Sequence, residues 1–395
     1  YTPGVVVLAL LVAILPPLLL GGVWAVWLYR ALTLLVIACP CALVISAPVT
    51  IISGITAAAR HGVLIKGGLH LETLGKVQAL AFDKTGTLTR GEPTVTTSRA
   101  LDCVTGIDCA LCDDVLALAA AVERRSAHPL ARAVTQAAEQ RSLTSTYAAA
   151  ESVLTLAGRG VQGQVGGKLI TVGNHALFDA EHPHPLAICE QVGALEAAGQ
   201  TTMLLCDGDR VRGLIGVADM IRPESGAVVQ QLKDLNITPI MLTGDNATVA
   251  QAVGAAVGIA EVRSHLLPAD KVTALQALQR QYHTVAMVGD GINDTPALAT
   301  ANVGIAMGGA GSAQAMETAD VVLMANDLHQ LPYALRIARF VRRLMAQNIV
   351  FSLGTKLIFM ALALLGGTSL WLAILADVGV SLLVTLNGMR AVRFE

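Results

Sequence analysis

The chain has 395 residues, of which 54% are hydrophobic and only 14% charged, against roughly 25% charged in ordinary soluble domains. That composition excludes intrinsic disorder and argues against a wholly soluble protein. With 27 Lys and Arg against 29 Asp and Glu, the formal net charge is −2, so no bulk field draws the chain to nucleic acid.

The charge deficit is local. Residues 1–59 carry one charge, Arg30, and residues 344–389 carry two, Lys356 and Asp377. Two apolar blocks therefore flank a soluble middle. The chain opens on Tyr1 and apolar residues, with no basic region or cleavage site of a signal peptide. It reads as a segment that begins within a longer protein. Seven cysteines in a cytosol-like middle are expected as reduced thiols.

About 20 apolar residues of helix cross a bilayer core. The first block supplies two such stretches, 4–26 and 31–58, with Gly21-Gly22 and Trp24, Trp27 and Tyr29 as an interfacial turn between them. The second stretch contains Cys39-Pro40-Cys41. Proline breaks the helical ladder and frees carbonyls at membrane depth, and two thiols there offer soft ligands for Zn(II), Cd(II) or Cu(I). A kinked helix with two small apolar cysteines is the other reading.

In the middle, the apolar run 77–82 predicts a strand that ends in Asp83-Lys84-Thr85-Gly86-Thr87-Leu88-Thr89. A carboxylate at a strand's carboxyl end is well placed for nucleophilic attack. Two more predicted strands, 239–242 and 284–288, end in Thr243-Gly244-Asp245 and in Gly289-Asp290-Gly291-Ile292-Asn293-Asp294. Helical patterns follow at 248–257 and 295–299. The alternation predicts a doubly wound parallel sheet whose strand tips converge Asp83, Thr243, Asp290 and Asn293. Such aspartates serve as nucleophile and as Mg(II) ligands, and Lys271 would neutralise a phosphoryl group.

Cys103, Cys109 and Cys112 include a C-x-x-C spacing. A regulatory metal site and a plain solvated loop are both open, the loop being the expectation for a single such pair. His182-Pro183-His184-Pro185 is expected as a stiff turn rather than a chelator, and Cys189 and Cys206 as core or surface thiols.

The last block supplies two further membrane stretches, 348–365 and 370–386, around the turn Gly366-Gly367-Thr368-Ser369. Ionisable groups in a membrane usually mark ion pathways, so Lys356 and Asp377 form either a structural ion pair or part of an ion site. A carboxylate beside two thiolates suits Zn(II) better than Cu(I). Arg60, His61 and Lys66, then Arg336, Arg339, Arg342 and Arg343, then Arg390 and Arg393 flank the stretches. The positive-inside rule places them and the soluble middle in the cytoplasm of a multi-pass membrane protein.

Residues 83–89 resemble the phosphorylation signature of P-type ATPases. With 243–245 and 289–294 they are similar to that family's phosphorylation domain, of haloacid-dehalogenase-like fold. Cys39-Pro40-Cys41 resembles the ion-site motif of the heavy-metal branch, and Lys356 with Asp377 and Gly379 its zinc/cadmium/lead subgroup. The resemblance runs from end to end. It implies a transmembrane helix pair over 1–66, a phosphorylation domain over 67–90 and 213–335, an inserted α+β nucleotide-binding domain over 91–212, and a second helix pair over 336–395. Asp219 and Arg222 mark the return from the insert.

The resemblance also implies the chemistry. ATP would phosphorylate Asp83, with Lys84, Thr85, Thr243, Gly244, Asp245, Lys271, Asp290, Asn293 and Asp294 in the catalytic group. Magnesium would be held by Asp83, Thr85 and Asp290. Ser126-Ala127-His128-Pro129 matches the family's His-Pro motif and residues 158–163 its glycine loop. Glu123, His128, Gly158, Gly160, Gly163 and Asn174 would then bind ATP. Zn, Cd or Pb would be transported at Cys39, Cys41, Lys356 and Asp377, with membrane lipid around the helices. A Cu(I) pump, a membrane-tethered phosphatase and a non-catalytic remnant are the competing expectations. The family's upstream helices and actuator domain, with its Thr-Gly-Glu loop, find no match, since Arg90-Gly91-Glu92 is not that loop. The chain is accordingly expected to bind ATP and autophosphorylate but to lose phosphate slowly.

Overall fold

The computed structural model describes residues 2–38, 41–103, 109–126, 128–156, 158–182, 184–291, 294–308, 313–364 and 369–394. In chain order the elements begin with helices α1 (Thr2–Leu20), α2 (Trp24–Ala38) and α3 (Cys41–Arg60), strand β1 (Val63–Ile65) and helix α4 (Gly68–Leu74). Then come β2 (Ala79–Asp83), β3 (Thr89–Ala100), α5 (Ala110–Glu123), α6 (Pro129–Gln140), β4 (Glu151–Leu156), β5 (Gly160–Val165), β6 (Lys168–Gly173), α7 (His175–Glu181) and α8 (Leu186–Ala197). They are followed by β7 (Thr201–Asp207), β8 (Arg210–Ile221), α9 (Ser225–Asp234), β9 (Thr238–Leu242), α10 (Ala247–Val257), β10 (Glu261–Arg263) and α11 (Pro268–Tyr282). The chain closes with β11 (Val285–Gly289), α12 (Thr295–Thr300), β12 (Val303–Gly308), α13 (Ala313–Thr318), β13 (Val321–Met324), α14 (Gln330–Leu364) and α15 (Leu370–Met389).

Two units emerge: Tyr1–Val77 with Asp320–Glu395, and Gln78–Ala319. Residues 67–77 and 320–335, expected with the phosphorylation domain, group with the apolar helices instead. The cause is the amphipathic start of α14. It buries Leu331, Leu335, Ala338 and Val341, a helical spacing, while its arginines face outward or cap nearby carbonyls. Arg339 donates to the Val77 carbonyl at 3.3 Å. α14 therefore starts at Gln330, well before the apolar stretch expected to begin at 348. Gly54 of α3 permits its close approach, since a Cβ there would lie 2.4 Å from Val341 Cγ2.

In the same unit, β1 pairs antiparallel with β13. Three segments among the described residues are long and apolar enough to cross a membrane: Trp24–Arg60, Gln330–Ala363 and Trp371–Arg393. The expected stretch 31–58 is resolved into α2 and α3, whose junction, Cys39-Pro40, lies outside the described residues. Trp24, Trp27 and Tyr29 sit in the first turns of α2 rather than in a turn.

The other unit holds two sheets. In the first, β12, β11, β2, β9 and β10 lie in that order and all run parallel. β2 and β11 are buried along their whole length. They read as unbroken apolar runs because helices cover both faces of a parallel sheet. Ala79, Ala81, Ile240, Leu242, Leu275, Leu278 and Met287 form one side of that core. The second sheet is antiparallel, in the order β3-β8-β7-β6-β5-β4. Alternation along β7 sends Met203 and Leu205 to a core shared with α5 and α6, and Leu204 and Cys206 to a core shared with α7 and α8. This sheet is the insert; its outer ribbon, β3 with β8, runs from Thr89 to Ile221, so it starts two residues before the expected edge at 91 and ends nine beyond the one at 212.

Candidate functional site

Parallel strands bring their carboxyl ends together. β2 lies between β11 and β9, with Asp83 beside Leu242 and Phe82 beside Val288. Asp83, Thr243 and Asp290 therefore leave three neighbouring strand tips. Carboxylate oxygens of Asp83, Asp290 and Asp294 lie within 4.8 Å of one another. Lys271, from the first turn of α11, donates to Asp83 Oδ1 at 2.5 Å and to Asp294 Oδ1 at 2.7 Å. Asp83, Lys271, Asp294 and Thr243 are all buried.

The electrostatics follow from that burial. Desolvation, with help from the Asp294 charge, pushes the Asp83 carboxyl up to about 7 against the opposing pull of Lys271. Burial works to lower the Lys271 pKa, but the two carboxylates outweigh it and hold the ammonium above its usual range. Three carboxylates against one ammonium leave negative charge in excess on hard oxygens. That donor set fits a magnesium ion.

The loop after Asp83 is built for close approach. Gly86 has φ +73°, and a Cβ there would lie 2.7 Å from Asp290 Oδ2. Thr85 is exposed beside it. Lys84 pairs with Asp245, which follows Gly244 at the β9 tip. Asp219 and Arg222 prove to be more than boundary markers. Asp219 accepts from Thr89 Oγ1 at 2.5 Å and from the Gly91 amide at 3.0 Å. Arg222 donates to the Thr89 carbonyl at 3.0 Å and the Gly86 carbonyl at 3.2 Å. Together they clamp the loop that carries the candidate nucleophile. Asn293 lies outside the described residues.

A cavity of about 760 Å³ opens between the insert and the β9 tip. Glu123, Ser126, His128, Gly158, Gly160 and Asn174 line one part of it, and Gly244, Asp245 and His265 another. Glu123, at the end of α5, is buried, and its Oε2 has no partner. Burial, opposed by a hydrogen bond with Ser126, pushes its carboxyl up to about 7. His128 caps α6, its Nδ1 accepting from the Leu130 amide at 3.3 Å. Partial burial at the cavity wall lowers its pKa. Asn174 caps α7 and donates to the Gly158 carbonyl at 3.1 Å, fixing the glycine loop. Gly160 allows two strands to touch: a Cβ there would lie 2.2 Å from the Val172 carbonyl oxygen. Gly163, expected with these, is instead buried in β5 against Ala150 and takes no part in the cavity wall.

In the helical unit, Lys356 Nζ donates to Asp377 Oδ1 at 3.0 Å and to the Ile37 carbonyl at 3.1 Å. The two expected charges thus meet beside the end of α2. Cys39 and the side chain of Cys41 lie outside the described residues. In the insert, Cys109 Sγ lies 2.8 Å from Cys103 Sγ and 3.1 Å from Cys112 Sγ. Cys103 and Cys112 are buried, so these thiols are not the plain solvated loop of the sequence reading. Burial pushes the Cys112 thiol up to about 11.

Residues 77–302 match the haloacid dehalogenase-like hydrolases. The chain belongs to that family. Over its whole length it is also similar to metal-transporting P-type ATPases. It is 44% identical to the cadmium-transporting ATPase of Staphylococcus aureus and 45% identical to the zinc/cadmium/lead-transporting P-type ATPase of Escherichia coli K12, covering 54% and 52% of them. Among solved structures, a zinc-transporting PIB-type ATPase in the E2.Pi state matches all of the chain at 45% identity and a TM-score of 0.77, and the chain covers 62% of it. A catalytic CPx-ATPase domain, CopB-B, matches 70% of the chain at 28% identity and a TM-score of 0.54; 96% of that domain is covered. The chain thus spans about half the length of the curated relatives it matches. This haloacid dehalogenase-like chain is a multi-pass membrane protein, and its candidate spans precede and follow the parallel sheet in sequence.

Proposed function

We propose that the chain is the catalytic and ion-binding part of an ATP-driven exporter of divalent heavy-metal ions such as Zn(II), Cd(II) and Pb(II), working through an aspartyl phosphate at Asp83. The observation that carries this reading is the buried Asp83–Lys271–Asp294 cluster at the strand tips, next to a cavity large enough for a nucleotide. The cavity has Glu123 and Asp245 in its wall; in this reading the adenine lies toward Glu123 and the phosphates toward Asp245. The unpartnered Glu123 oxygen suits the exocyclic amine of adenine, and Gly158 and Gly160 leave room for the sugar and phosphates.

In this scheme an ionised Asp83 oxygen attacks the terminal phosphorus, and the bond from phosphorus to the bridging oxygen breaks, leaving ADP with the electron pair. Lys271 stabilises the ionised carboxylate and the equatorial oxygens of the phosphoryl group. Thr243 and Asn293 donate to those oxygens. Asp294 holds Lys271 in place. Magnesium, bound by Asp83, Asp290 and Thr85, would neutralise phosphoryl charge. Asp219 and Arg222 keep the loop rigid, so that the attacking oxygen stays in line. The helices would carry the ion at Cys39, Cys41 and Asp377, with Lys356 offsetting the carboxylate once the ion leaves, and the soluble unit would face the cytoplasm.

The test is incorporation of the terminal phosphate of ATP into the purified chain. Wild type should label, and the label should be released by hydroxylamine, as an acyl phosphate is. Asp83→Asn should not label. Labelling that survives this substitution would refute the scheme, and hydrolysis of small phosphate esters without ATP binding would favour a phosphatase.

A further inference from the structure

The α7–α8 corner of the insert places four side chains of metal-ligating chemistry around one point. His175 and Asp179 are one turn apart on α7, Cys189 is in the first turns of α8, and His184 precedes α8. One ligand atom from each lies within 4.8 Å of all the others. His184 Nε2 is the hub: it is 3.3 Å from His175 Nε2, 3.4 Å from Asp179 Oδ1 and 3.4 Å from Cys189 Sγ. His175 Nε2 also lies 3.4 Å from Asp179 Oδ1.

These spacings have a specific meaning. Zinc bonds of about 2.0–2.3 Å to nitrogen, oxygen and sulfur give a tetrahedron with edges of about 3.3–3.6 Å. Hydrogen bonds among the nitrogen and oxygen atoms would draw those closer, to about 2.7–3.2 Å. The hub nitrogen is also set up as a ligand. His184 Nδ1 faces the His182 carbonyl at 2.8 Å; donating its proton there fixes the tautomer and leaves the Nε2 lone pair aimed into the cluster. That lone pair faces the Asp179 carboxylate oxygen at 3.4 Å. A cation between the two relieves their acceptor-to-acceptor contact. The His184 side chain is only 4% exposed, so water does little to relieve it.

We propose that His175, Asp179, His184 and Cys189 form a tetrahedral site for a borderline-soft divalent cation, Zn(II) or Cd(II), on the insert. Nitrogen, oxygen and thiolate together suit these ions better than Mg(II), which takes oxygen alone, or Cu(I), which prefers sulfur. The site is separate from the Lys356–Asp377 pair and does not depend on the transport reading. It borders the cavity, since His175 and Asp179 also line that wall. A bound ion would therefore pin the helix whose Asn174 cap holds the Gly158 carbonyl.

Equilibrium dialysis of the purified chain against buffered Zn(II), with the metal counted by atomic emission, tests the proposal. The double variant His184→Gln/Cys189→Ser should hold one ion fewer than wild type, with an unchanged far-ultraviolet circular dichroism spectrum. A Cys39→Ser/Cys41→Ser chain should keep this ion. His175→Asn, a mild change at a half-buried position, should weaken that ion's affinity at least ~10-fold. With Co(II) as probe, the wild type minus Cys189→Ser difference spectrum should show a thiolate charge-transfer band, and tetrahedral d–d bands should fade in His175→Asn. Equal metal counts and superimposable Co(II) spectra across wild type and these variants would overturn the site and leave a hydrogen-bonded corner.

Discussion

Glu123 shows how one buried carboxyl can tune a binding site. Its carboxyl is pushed up to about 7 by burial, and one oxygen has no partner. In the unfolded chain the same group titrates near 4.5. The folded state thus holds a proton that the unfolded state has released. Stability from this group is fully present below pH 4.5 and is lost as pH rises through 7. Glu123→Gln removes the titration. The melting temperature of wild type should drop between pH 6 and 8 relative to the variant, by the equivalent of about 1–3 kcal/mol. Ligand binding should run the other way. Only the ionised carboxylate is a pure acceptor for an exocyclic amine, so the ratio of wild-type to Glu123→Gln ATP affinity should rise with pH through 7. Fluorescent-nucleotide titration at several pH values checks this; parallel profiles would remove Glu123 from the adenine end of the cavity.

At the scale of elements, the glycines of the β5 entry divide by environment. Gly158 has φ +71° and open space around its Cβ position, whereas the Cβ of an alanine at 160 would meet the Val172 carbonyl oxygen at 2.2 Å. Gly158→Ala meets only backbone strain, about 1 kcal/mol. Gly160→Ala must separate β5 from β6, at about 2–3 kcal/mol or more, and should abolish nucleotide binding along with the fold of that wall. Thermal melting and nucleotide titration of the two variants should differ in that order. The sequence pattern alone did not separate these roles, and it placed Gly163 with the ligand although that position faces Ala150. A Gly-x-Gly-x-x-Gly string reports where backbone must come close, not to what.

The strand tips were legible for a different reason. Buried parallel strands are short apolar runs, and each ends abruptly in Asp83, Thr243 or Asp290, so the residues that leave the sheet stand out. The Asp219–Arg222 clamp was not legible, because its partners lie about 130 positions away in sequence. Nor was the His175–Asp179–His184–Cys189 corner: two helices and a turn supply its groups, with no repeated spacing. The length of α14 was hidden by its arginines, which ended the apolar count while the helix continued as an amphipathic one.

For the whole molecule, the decisive feature is that three charges among the apolar blocks end as one half-buried arginine over the Trp27 ring and one ion pair of a buried Lys356 with a half-buried Asp377. Lys356 and Asp377 are held between α14 and α15, with the ammonium also bound by the Ile37 carbonyl of α2. A buried pair contributes little net stability, because desolvation offsets the attraction, but removing one partner leaves an uncompensated charge. Asp377→Ala should therefore cost about 3–5 kcal/mol, read as a lower melting temperature in detergent. Lys356→Met/Asp377→Leu removes both charges and should recover most of that loss. Metal binding separates structure from function here. If Asp377 is an ion ligand, the stable double variant should still bind one Zn(II) ion fewer than wild type. Recovery of both stability and the full metal count would reduce the pair to a device for docking three helices. Recovery of stability alone would mean that the helices keep two costly charges in apolar surroundings for the ion, since an uncharged pair would hold the bundle as well.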